Sequence, residues 1–112
     1  SFVSLDNIEE TVKQLLEVDG WFVQANPQYG PFCTKGRPDM EAYKDGKCLL
    51  IECKSKTGRQ SPAQKKYEQE VKRYVPYILA RGPEDVEPYL TTVQVLFRER
   101  GEQHGNKKNV FK

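Results

Sequence analysis

Asp39-Met40-Glu41-Ala42-Tyr43-Lys44-Asp45-Gly46-Lys47-Cys48-Leu49-Leu50-Ile51-Glu52-Cys53-Lys54 is the stretch whose reading decides the fold. Asp45-Gly46 is a dipeptide strongly favoured in two-residue hairpin turns. The flanking segments, Asp39 to Tyr43 and Lys47 to Lys54, read as its two strands. The second contains the continuous apolar run Cys48-Leu49-Leu50-Ile51, expected of a central, buried strand. With Asp45 and Gly46 as the loop, Lys44 faces Lys47 and every further pair has residue numbers summing to 91. Asp39 then falls opposite Glu52.

Directly opposed residues share a face with Cβ atoms about 4.5–5.5 Å apart, so two facing carboxylates are unfavourable as structure and call for a cation between them. Lys54 lies two residues beyond Glu52 and therefore on the same face. Two acceptors and one ammonium donor around one point suit phosphodiester cleavage. Hard carboxylate oxygens match Mg²⁺ or Mn²⁺, which retains waters and activates one of them. Lys54 would orient that water or stabilise developing negative charge. The bland alternatives are a frayed, solvated hairpin end and a salt bridge from Lys54 to either carboxylate. Against the first, both charges end an apolar strand, where burial without a metal or partner is expensive.

Upstream, Leu5, Ile8, Val12, Leu15 and Leu16 recur at helical spacing, predicting an amphipathic helix from about Asn7 to Asp19 with Asp6 as N-cap and Gly20 as stop. Trp21-Phe22-Val23 is a short strand candidate, and the turn formers from Asn26 to Pro31 end it. Downstream, Ser61-Pro62-Ala63-Gln64 combines an N-cap serine, a proline at the first helical position and a capping-box glutamine. The helix it opens should run to about Tyr74, with Ala63, Tyr67, Val71 and Tyr74 on one stripe and Lys65, Lys66, Lys72 and Arg73 largely on the other. Pro76 ends it, Tyr77 to Ala80 reads as a strand, and Gly82-Pro83 opens a helical turn through Glu84 to Tyr89. Val93, Val95 and Phe97 alternate as in a strand, although a helix fits too. Residues 101–112 form a polar tail.

The 112 residues fit a single domain, with its core over about residues 6–90. Only 37% of residues are apolar, 30% are charged and the mean hydropathy is -0.79, which points to a thin core and to self-association. The net charge of +2 is too small to argue for a polyanionic partner, so that case rests on local clusters. Cys33, Cys48 and Cys53 lack CxxC spacing, which disfavours a disulfide framework or a zinc cluster and leaves three core-filling thiols in a reducing, cytoplasmic setting. No run is apolar enough to span a membrane and no leader opens the chain. His104, the only histidine, lies in the tail, so histidine-based chemistry is not expected.

Gly36-Arg37-Pro38-Asp39, Ile51-Glu52-Cys53-Lys54, Thr57-Gly58-Arg59 and Ser61-Pro62-Ala63-Gln64 together resemble the virus-type replication-repair (VRR-NUC) branch of the PD-(D/E)XK nucleases, over about Asp6 to Leu90. The resemblance implies an α/β, restriction-endonuclease-like fold with a central mixed sheet of four to five strands flanked by helices. It also implies Mg²⁺ or Mn²⁺ dependence and cleavage of structured DNA; stand-alone members of this size are associated with homodimers acting on Holliday junctions. Asp39, Glu52 and Lys54 match the catalytic core, and Gln64 matches a glutamine expected near it. The metal would sit on Asp39, Glu52 and the backbone carbonyl of Cys53, whose thiol points to the other face. Relatives carry a glutamate on the first helix; Glu9 borders the stripe of Ile8, Val12 and Leu16, whereas Glu10 points nearly opposite. At Gln24-Ala25-Asn26 many relatives carry an arginine, so one substrate contact is in doubt. Lys35, Arg37, Lys56 and Arg59 flank the motif, and with Lys65 and Lys66 would grip phosphates without reading sequence. A flap or nicking nuclease and a catalytically silent DNA-binding module are the close alternatives; an unrelated α/β interaction protein would leave the facing carboxylates unexplained.

Overall fold

Ile8, Val12 and Leu16 recur every four residues and are all but fully buried, which places one stripe of α1 (Leu5–Val18) against the sheet. The computed structural model describes residues 5–27, 30–31 and 34–91. Because α1 begins at Leu5, Asp6 falls within its first turn and not at the expected N-cap position. The helix ends in a Schellman motif: Gly20 N donates to the Glu17 carbonyl at 3.0 Å and Trp21 N to the Leu16 carbonyl at 2.9 Å. Trp21 is thereby drawn into the core, so the strand expected at Trp21 starts one residue later and runs further, as β1 (Phe22–Ala25).

β2 (Met40–Lys44) and β3 (Lys47–Cys53) form the expected hairpin. Asp45 and Gly46 both have positive φ, 51° and 78°, the signature of a type I′ turn. The register is the expected one, from Lys44 opposite Lys47 to Met40 opposite Ile51. α2 (Pro62–Val71) opens with the complete capping box: Ser61 Oγ accepts from Gln64 N, and Gln64 Oε1 accepts from Ser61 N. It stops three residues short of Tyr74, because Pro76 disfavours helical backbone at Val75 and the chain leaves through a hydrogen-bonded turn over residues 72–75. β4 (Tyr77–Ala80) pairs parallel to β3, and two 3₁₀ turns (Pro83–Asp85, Glu87–Tyr89) follow.

Among the described residues the sheet has four strands in the order β1-β2-β3-β4, antiparallel except for β3–β4. It is a mixed sheet in an α/β fold. The strand expected at Val93 to Phe97, the tail with His104, and Cys33 lie outside the described residues. No described helix is long and apolar enough to cross a membrane.

α1 covers one face of the sheet, where Ala42, Leu49, Ile51, Cys53, Ile78 and Ala80 join the helix stripe in a single cluster. The opposite face carries Leu50 and Glu52, both buried although outside that cluster, on the side of α2. α2 itself has no fully buried residue, and Tyr74, expected on its apolar stripe, is 76% exposed. Cys48 is half-buried on this face, not core-filling as expected, whereas Cys53 fills the core. Gly36 seats the loop before β2 directly on α2. Its φ is +83°, and a Cβ there would stand 2.3 Å from the Ala63 carbonyl oxygen, a space only glycine leaves open.

Asp19, 3% exposed, ties the far end of the molecule together. Its carboxylate accepts from Trp21 Nε1 at 3.0 Å, Lys44 Nζ at 3.2 Å and Thr91 N at 2.8 Å. One buried carboxylate therefore joins the end of α1, the hairpin and the segment after the last 3₁₀ turn. Asp19→Ala leaves the buried Trp21 Nε1 and the part-buried Thr91 N without their acceptor and the Lys44 ammonium without its counter-charge, and is expected to lower the unfolding free energy by about 2–4 kcal/mol, read as a lower urea midpoint at unchanged slope.

Candidate active site

Proline at position 38 shapes the end of the hairpin. Continuing the register beyond Met40–Ile51 would set Pro38 opposite Cys53 at a hydrogen-bonded position, but proline has no N–H to donate. The ladder therefore stops at Met40, one residue later than the sequence suggests. The Pro38 carbonyl is taken by Asn26 Nδ2 at 2.8 Å, and Asn26 N donates to the Asp39 carbonyl at 2.8 Å. The Asp39 side chain folds inward, where one carboxylate oxygen accepts from Cys53 N at 2.7 Å. Asp39 and Glu52 are thus not the ladder pair that the extended register required. They are still neighbours: the Asp39 charge raises the pKa of Glu52. The missing proline donor also means that the Cys53 carbonyl cannot be consumed by a ladder bond from residue 38.

Glu52 is 2% exposed at the end of the central strand. Its Oε2 accepts from Gln64 Nε2 at 2.7 Å, with Lys54 Nζ 3.7 Å away. Its Oε1 is buried and has no hydrogen-bond partner among the described residues. Burial, and then the charge of Asp39, push the Glu52 pKa up to about 7 against the opposing pull of Lys54. Asp39 is raised too, chiefly by burial, with the Cys53 N–H and Lys54 acting against it. The salt bridge weighed as a bland alternative is present, but at 3.7 Å it leaves the buried carboxylate undercompensated.

A hard divalent cation fits that deficit. Glu52 Oε1 is an orphaned buried oxygen beside a second carboxylate, and the next backbone carbonyl along the strand is that of Cys53, without a ladder bond from residue 38. Two carboxylates and a carbonyl are a partial shell, of the kind Mg²⁺ completes with its own waters. Among the described residues no group of three or more His, Cys, Asp or Glu side chains forms a ready-made cage. Glu9 adds negative potential, raising both Glu52 and Cys53, and with Asp39 it lines a groove of about 260 Å³ between α1 and the sheet. Glu10 lines the same groove but accepts from Gln14 along the helix.

Gln64 serves the helix cap and the site together: its amide oxygen closes the capping box while its amide nitrogen holds Glu52. Of the basic residues singled out in the sequence, Lys35, Lys56, Arg59, Lys65 and Lys66 are exposed. Arg37 instead forms an ion pair with Glu41 at 2.8 Å. Two residues escape sequence reasoning. Asn26 looks like a turn former, yet it is buried and holds Pro38. Arg81, at the end of β4, donates from Nη1 to the carbonyls of Ser55 at 2.6 Å, Lys56 at 3.2 Å and Gly58 at 2.7 Å. It turns the backbone of the loop after Lys54 inward. No local pattern announces such a contact, because its partners lie more than 20 residues away.

Comparison of the chain with protein-family models, with curated proteins and with solved structures returns no significant match. Two measurements test the geometry directly. Between the ordinary glutamate pKa of 4.5 and the folded value of about 7, the folded chain holds a proton that the unfolded chain has lost, so stability falls as pH rises through that window. In EDTA, Glu52→Gln is expected to remove this fall and to be the more stable protein at pH 8, by about 2 kcal/mol; Mg²⁺ or Mn²⁺ should restabilise the wild type and not the variant. Arg81→Ala strips donors from three carbonyls and is expected to cost about 1–3 kcal/mol and to speed proteolysis within residues 55–59.

Proposed function

We propose that this chain is a metal-dependent, structure-selective endodeoxyribonuclease of the PD-(D/E)XK type, with the VRR-NUC-like, restriction-endonuclease-like architecture that its motifs resemble. Its substrate is branched DNA, with the four-way Holliday junction as the main candidate, and it acts as a homodimer whose two sites cut symmetric strands. The observation that carries this reading is the buried Glu52, one oxygen without a partner, beside Asp39 and Lys54 where the sheet ends. A purely structural strand end has no reason to keep such a charge in the core.

The chain's own groups divide the work. Cys53 N–H fixes Asp39, and Gln64 fixes one oxygen of Glu52, so both carboxylates are held before substrate arrives. Together with the Cys53 carbonyl they would hold Mg²⁺ or Mn²⁺, which when bound neutralises phosphate charge and lowers the pKa of a water. Lys54, adjacent to Glu52, holds the attacking water or stabilises charge on the phosphoryl oxygens. The water gives up a proton to solvent as its oxygen bonds to phosphorus, the bond from phosphorus to the leaving sugar oxygen breaks, and that oxygen takes up a proton from solvent. The exposed Lys35, Lys56, Arg59, Lys65 and Lys66 contact phosphates only, and so contribute affinity without base preference.

The test is cleavage of labelled four-way junction, flap and linear duplex DNA with Mg²⁺, Mn²⁺ or EDTA. Paired symmetric cuts in the junction are expected, lost in EDTA and reduced about 100-fold or more in Asp39→Asn and Lys54→Ala. Preference for flaps would reassign the substrate within the same chemistry. Cutting that survives Asp39→Asn, or tight binding of every substrate without cutting, would overturn the catalytic assignment.

A further inference from the structure

A groove of about 850 Å³ opens at the opposite end of the sheet from Asp39, between the Asp45-Gly46 turn, the Tyr74–Pro76 linker and the last 3₁₀ turn. Its floor is apolar, with Trp21, Leu49 and Leu90 buried beneath it. Tyr74 and Tyr89 stand on its walls, 76% and 39% exposed. Neither ring belongs to the buried core cluster. The Arg73 guanidinium lies 5.7 Å from the centre of the Tyr74 ring, as in a cation–π contact. Lys47 is exposed on the rim, where Asp45 is the acidic counterpart, since the other carboxylate nearby, Asp19, is buried and bonded.

The groove is also connected to the candidate active site by a row of charge. Lys65 and Lys72, and Lys66 and Arg73, are each seven residues apart and so lie along one side of α2 and the turn that follows it. All four are exposed. The row starts beside Gln64, which holds Glu52, and ends at Tyr74. β3 makes the same journey from Lys47 on the rim to Glu52, about 17 Å at the rise of an extended strand. That distance spans about five phosphates of one B-form strand.

We propose that this groove is a second nucleic-acid contact, in which an unpaired base of the bound DNA stacks on Tyr74 and Tyr89 while Lys47 and Arg73 meet its phosphates. The inference rests on the nuclease reading for the identity of the polymer. Stacking on exposed aromatic rings tolerates any base, and cations flanking the rings favour a polyanion over an apolar peptide. The contact gives the molecule a preference for DNA in which pairing is interrupted about five nucleotides from the bond being cut.

The test is fluorescence of 2-aminopurine in a single-stranded oligonucleotide of about 12 nucleotides, titrated with the full chain in EDTA so that nothing is cut. Quenching on binding is expected, with affinity about tenfold weaker in Tyr74→Ala and Tyr89→Ala and retained in Tyr74→Phe, because the ring and not the hydroxyl does the stacking. Unchanged thermal midpoints would show that the exposed tyrosines are not needed for folding. Equal binding and quenching by wild type and both alanine variants, or no binding of single strands, overturns the proposal. The same proteins are assayed for cleavage of fully paired junction DNA with Mg²⁺. Cutting without tyrosine-dependent quenching removes the groove and leaves the nuclease; tyrosine-dependent quenching without cutting leaves the groove and removes the nuclease.

Discussion

Two successive residues with positive φ, Asp45 and Gly46, close the β2–β3 hairpin, and every cross-strand pair is counted from them. A slip of one residue would exchange the faces of the whole central strand. Leu49, Ile51 and Cys53 would leave the cluster under α1, and Glu52 would enter it without the Gln64 amide in reach. The register therefore protects the core and the candidate site by one constraint. It also explains why a run as apolar as Leu49-Leu50-Ile51 tolerates a glutamate next: on the α2 face, Glu52 meets Gln64 and Lys54.

The site is built at the place where regular pairing fails. Pro38 withholds an N–H, Asn26 takes up the proline carbonyl, and Asp39 satisfies Cys53 N with its side chain where a backbone acceptor would ordinarily stand. The N–H missing at Pro38 leaves the Cys53 carbonyl, next in the chain after Glu52, without a ladder bond from residue 38. Burial raises the pKa of both carboxylates, and the Asp39 charge raises Glu52 further, with Lys54 as partial compensation. Such a cluster lowers the stability of the bare protein at neutral pH and would recover it on binding a cation. The cost in stability and the capacity for chemistry have one source.

α2 couples this end of the sheet to the other while contributing little burial. Its first turn is rigid, because Gln64 is shared between cap and carboxylate and Gly36 lets the preceding loop sit against Ala63. The turn that follows it carries an exposed tyrosine beside an arginine. A helix so lightly anchored to the core has its outer side available for charge, and Lys65, Lys66, Lys72 and Arg73 occupy it. At the far end Asp19 supplies the rigidity that α2 does not, joining three segments through one buried carboxylate.

What the sequence determined by itself is what depends on local pattern: the α1 stripe, the I′ turn with its register, the capping box and the order of strands and helices. Each of these is encoded within a few residues by backbone preference or periodicity, so Asp39, Glu52, Lys54 and Gln64 could be brought to one end of the sheet on paper. Only the tertiary structure decided how they meet. A backbone donor absent at Pro38 turns Asp39 toward Cys53, Asn26 acts across 12 positions, and Arg81 reaches 23 to 26 residues back to grasp a loop. Tyr74 shows the converse, an apolar position in the helical pattern that the early end of α2 leaves outside the core. Burial and long-range hydrogen bonds are properties of the assembled chain, and no window of sequence carries them.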